Sequence, residues 1–106
     1  MRVTIIKDDN AVNIDGTRRY VDCSSLPADF HALQWNDAAG EIEYARMTCA
    51  HCGGHSKKAN ELITDLAPYQ PYVDAWKAED VRVRAEEAAA AEAARKAQHE
   101  AEHDAA

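Results

Sequence analysis

From Lys77 to Ala106 the chain reads "KAEDVRVRAEEAAAAEAARKAQHEAEHDAA", and its apolar content there is almost entirely alanine. This run constrains the fold more than any other feature. Alanine buries too little area to build a core, so the Val, Ile, Leu, Phe, Trp, Tyr and Met residues before it must supply one. The 106 residues hold one ordinary domain. The expected architecture is α+β: a small antiparallel β-meander domain over residues 1–76, followed by a long Ala/Glu-rich C-terminal α-helix over 77–106. A compact part of roughly 75 residues is marginal by size scaling, and it gains from a metal, a partner or oligomerisation.

The helix expectation rests on composition and on charge pairs four residues apart: Asp80 with Arg84, Arg82 with Glu86, Glu92 with Lys96. Val81 is the last large apolar residue at a plausible seam. Two readings stay open, a solvated single helix and a helix that docks on a partner or makes a homo-oligomer, because an alanine stripe permits close approach. A break bracketed by Pro68 and Pro71 precedes it. Pro71 is expected to start the helix and Trp76 to dock it, with Tyr72 and Val73 on the same face.

Period-two alternation marks the first half as strands. "RVTIIKD" and "NAVNIDG" form a hairpin turning near Asp8 to Asn10, and a turn at Asp15 to Thr17 leads to "RRYVDC". In "SSLPADFHAL" a Ser24 or Ser25 cap and Pro27 suggest a helical turn over Ala28 to His31. "LQWN" and "EIEYA" flank "DAAG" as a second hairpin, giving about five strands in Met1 to Ala45. Trp35, paired with Tyr44 or Tyr20, is the expected centre of the core.

The formal charge of -7, from 19 acidic and 12 basic residues, does not suit a phosphate backbone, so no nucleic-acid partner is expected. No apolar run approaches the roughly 18 residues of a membrane span, and "MRVTIIKDDN" turns charged before a signal core forms. A chain that stays where it is made is the expectation. Three cysteines without a secretion signal argue against a disulfide framework and for free thiols or a metal.

The one stretch with a chemical signature is "TCAHCGGHSKK", inside a loop expected as an insertion at 46–60. Its Cys-x-x-Cys can aim two sulfurs at one zinc, with Gly53 and Gly54 supplying backbone freedom just after the second. The candidate metal ligands are Cys49, Cys52, His55 as third and Cys23 as fourth, with His31 behind Cys23, for one structural zinc. Ordinary loop thiols that oxidise in air remain an equal alternative, with Lys57 and Lys58 as solvated charges. A thioredoxin-like motif would need a helix N-terminus after the second cysteine, where two glycines stand instead. Nucleophilic catalysis by Cys23 with His31 lacks an orienting third group. No paired titratable groups suggest an enzyme.

The order "VTIIKDDNAVNIDG", "VDCSSLPADFHALQWNDAAGEIEY", "LAPYQPYVDAW" resembles small proteins encoded beside tail-fibre genes in tailed bacteriophages, the tail accessory or tail fibre assembly proteins. The similarity covers about Met1 to Trp76, and "SSLPADFHALQW" is its distinctive phrase. It implies a non-enzymatic module that binds a phage tail or tail-fibre protein, as an assembly chaperone or as a virion component made in the bacterial cytoplasm. It carries over no functional residue. The rival is an acidic phage-encoded regulatory or host-takeover protein that binds a host protein; Arg82, Arg84, Arg95 and Lys96 interrupt the acidic face that a nucleic-acid mimic would need.

Overall fold

The structure is a computed structural model that describes the backbone of residues 1–105 and the side chains of residues 1–102. It is an α+β arrangement, an antiparallel six-stranded sheet followed by one long helix. The strands are β1 (Arg2–Ile6), β2 (Ala11–Ile14), β3 (Thr17–Tyr20), β4 (Phe30–Asn36), β5 (Ala39–Tyr44), β6 (Met47–Thr48), β7 (His55–Ser56) and β8 (Glu61–Ile63). A 3-10 turn at Ala67–Tyr69 runs directly into α1 (Gln70–Ala105). The main sheet has the order β3-β2-β1-β4-β5-β8, and β6 and β7 form a separate ribbon.

The alternating residues of the first half assemble into rows across the sheet. One row runs Thr17, Ile14, Val3, Trp35, Gly40, Ile63, and the next runs Arg19, Val12, Ile5, Leu33, Ile42, Glu61. Their apolar members are the core, closed by Val21, Cys23, Leu26 and Phe30 beneath the sheet and by Val73 of α1. Phe30 meets Tyr69 with ring centroids 6.0 Å apart. Among the described residues no polar or charged residue is buried. The other face carries Arg2, Thr4, Asn13, Arg18, Gln34, Glu41 and Glu43, the wet half of the same alternation.

Turn chemistry fixes the register. Asp15 (φ 49°) and Gly16 (φ 90°) form a two-residue hairpin loop with both central residues left-handed, and the Asn13 and Asp15 carboxamide and carboxylate accept the N–H groups of Gly16 and Arg2. Asn10 is left-handed as well (φ 46°), and its Oδ1 accepts the Cys23 N–H at 2.9 Å, tying the β1–β2 turn to the connection before β4.

Four expectations change. The hairpin of β4 and β5 closes through Asp37 and Ala38 alone, so Gly40 is a strand residue opposite Trp35. A Cβ on Gly40 would lie 2.9 Å from Trp35 Cε3 and 2.7 Å from Gln34 O. The helical turn over Ala28 to His31 is absent: Phe30 and His31 belong to β4, where pairing with β5 and β1 satisfies the backbone, and one Phe30 N–H to Pro27 O bond at 3.0 Å remains. Tyr20 faces solvent at 68% exposure, so it is no partner of Trp35, which is 6% exposed. The first five strands are not a simple meander, since β4 returns to the far side of β1, and a sixth strand, β8, adds to β5.

The helix begins at Gln70, one residue before Pro71, and continues through residue 77 without interruption. Trp76 docks it as expected, donating Nε1–H to Thr17 O at 2.9 Å. Asp80 adds a second tie, accepting from Arg19 (2.9 Å) on β3 and from Arg84 (2.9 Å) on its own helix. Past Val83 every described side chain of α1 is exposed except that of Glu92, which is half-buried and pairs with Arg95 and not with Lys96. Among the described residues no helix is long and apolar enough to cross a membrane.

Candidate functional site

The cysteine loop leaves β5 at Tyr44 and returns as β8, and every residue from 46 to 60 is exposed. Its ribbon holds two register pairs, Met47 with Ser56 and Thr48 with His55. At the tip, Cys49 N–H donates to Gly54 O at 2.7 Å and Gly53 N–H donates to Cys49 O at 2.9 Å, with Gly53 left-handed at φ 69°. Only a residue without a Cβ takes that turn at no steric cost.

This turn aims N–H groups at both sulfurs. Gly54 N–H points at Cys52 Sγ, 3.4 Å away. The Cys52 backbone N–H, the Cys52 thiol and the His51 N–H hold the Cys49 thiol below its ordinary pKa. The two thiols therefore share one exposed tip. His55 stands in the ribbon pair next to the tip, opposite Thr48, its Nδ1 3.1 Å from Thr48 Oγ1.

Cys23 lies elsewhere. It is fully buried in the core, its Sγ donates to Val21 O at 3.2 Å, and burial pushes its thiol pKa up. Its enclosed sulfur does not face the exposed pair. His31 is exposed on β4, and its carbonyl accepts Lys7 N–H at 3.2 Å. Among the described residues no group of three or more His, Cys, Asp and Glu side chains converges as a ligand set.

The loop is fixed to the sheet through residues read first as solvated. Lys58 Nζ lies 2.7 Å from Asp29 and 5.1 Å from the centre of the Tyr44 ring, and it holds the Asp29 carboxyl below its usual range. Tyr44 donates its hydroxyl to Glu61 at 2.8 Å, and that carboxylate pushes the phenol up to about 12. A feature missed in the sequence is the charge of the loop itself: Arg46, Lys57 and Lys58 stand between Glu43 and Glu61 with no carboxylate among them. Counting charge in a sliding window, and not over the whole chain, is the signal that finds it.

No protein-family profile, no curated protein and no solved structure matches the chain.

Proposed function

We propose that the chain is a non-enzymatic binding module that attaches to a bacteriophage tail or tail-fibre protein, as a virion component or an assembly chaperone. The observation that supports it best is the division of labour along α1. The first turns of the helix complete the core through Val73, Tyr72 and Trp76, and the rest extends from the sheet as an exposed rod. A rod of alanine with paired charges adds nothing to the stability of its own domain, and it suits a contact made with another chain. The resemblance of residues 1–76 to tail accessory proteins supports a tail or tail-fibre protein as the partner.

The charge pattern favours this reading over an acidic mimic. Arg82 is bonded to Glu79 and Glu86, Arg84 to Asp80 and Arg95 to Glu92, so the helix offers alternating signs and no continuous acidic face. Co-expression with the tail-fibre protein of the same phage tests the proposal. A co-purifying complex that is lost when residues 84–106 are removed is the expected result, and mass spectrometry of purified virions then separates component from chaperone. Absence from virions together with no complex overturns it.

A further inference from the structure

We propose that Cys49 and Cys52 of two copies of the chain close around one Zn2+ ion, a tetrathiolate bridge between two hairpin tips. This does not rest on the tail reading. A zinc held structurally takes four ligands at tetrahedral corners, with sulfur at about 2.3 Å. One tip offers two corners: neighbouring, exposed sulfurs in a turn closed by the Cys49–Gly54 and Gly53–Cys49 backbone bonds, with the Gly54 N–H already directed at Cys52 Sγ. The same chain does not offer the other two. Cys23 is enclosed in the core with its sulfur bonded to Val21 O, and among the described residues no third His, Cys, Asp or Glu side chain converges on the pair. A second, identical tip supplies the missing pair by two-fold symmetry.

Charge argues for the same occupant. Four thiolates around Zn2+ carry a net charge of about -2. In a chain of net charge -7 the segment between Glu43 and Glu61 has three cations and no carboxylate. Lys58 is neutralised by Asp29, which leaves Arg46 and Lys57 on each copy. These cations flank the ribbon at its sheet end, beside Met47 and Ser56, so each copy brings positive and no negative side-chain charge to the loop that carries the thiolates. The ribbon also needs support, since β6 and β7 are two residues long and wholly exposed. Formation breaks four S–H bonds and makes four Zn–S bonds, with four protons passing to water and no change of oxidation state.

The test uses the full chain, metal-free and with reduced thiols, titrated with Zn2+ alone and followed by native mass spectrometry and light scattering. One zinc per two chains, a doubled mass and reversal by a chelator are expected, and Co2+ in place of zinc should give the intense charge-transfer absorption of a tetrathiolate site. Cys52→Ser should abolish both signals and His55→Ala should leave them unchanged. If α1 already holds the empty chain as a dimer, the stoichiometry and the cobalt spectrum still decide. One zinc per chain at unchanged mass, a cobalt spectrum with nitrogen ligands, or no binding with both thiols free overturns the bridge.

Discussion

Trp35 and Gly40 act as one unit. The indole occupies the space that a side chain on the neighbouring strand would fill, so the tryptophan is accommodated only because its cross-strand partner has none. Trp35→Ala is expected to cost about 3 to 5 kcal/mol, enough to unfold a domain of this size. Gly40→Ala should cost about 1 to 3 kcal/mol by overpacking, although it removes nothing. Urea melts followed by circular dichroism measure both; an unchanged midpoint for Trp35→Ala would move the indole from core to surface contact. At Tyr44 the prediction concerns alkali. Its phenol is raised from 10.0 to about 12 beside Glu61, so the stabilisation of its neutral form is complete below pH 10 and is lost as pH rises toward 12. Glu61→Gln should bring the phenolate transition, read by ultraviolet absorbance against a Tyr44→Phe control, back toward the ordinary value.

At the scale of elements, α1 is two objects in one helix. Its first part carries Val73, Trp76 and the Arg19–Asp80 pair, and past Val83 its described side chains are exposed except that of Glu92. A chain ending at residue 84 should melt within about 0.5 kcal/mol of the full chain, as expected for loss of surface alone. One ending at residue 69 should not fold. Composition and charge pairs four residues apart made this helix legible, and period-two alternation did the same for the first five strands, where Val3, Ile5, Val12, Ile14, Leu33 and Ile42 alternate. It failed at β8, where three residues hold too little pattern and Leu62 is 81% exposed. It failed again at "SSLPADFH", where local capping signals for a helix lost to the pairing of Phe30 with Tyr44 at the start of β4, next to a register shift that skips His31. The cysteine pair was legible from spacing alone. The burial of Cys23 was not, because a thiol at the end of a strand reads the same whether it faces core or solvent.

As a whole the molecule is a thin, long body of 75 × 34 × 18 Å, with a Cα radius of gyration of 20.6 Å. A compact globule of this length would have about 13 Å. The excess is the rod, and the 18 Å dimension is a sheet with one layer of cover. The position of β1 in that sheet has a kinetic meaning. It is an interior strand, flanked by β2 and β4. Its hairpin with β2 closes locally, but Val3 must then find Trp35, and closing a loop of about 30 residues costs roughly 3 kcal/mol of chain entropy. That search is expected to set the pace of folding, with helix docking afterwards. Leu33→Ala should therefore slow refolding in stopped-flow experiments, while Val73→Ala should chiefly speed unfolding. The opposite pattern would mean that the helix docks before the sheet is complete. With the order expected here, synthesis delivers all six strands of the sheet before α1, so the rod becomes available to a partner only after the strands have emerged.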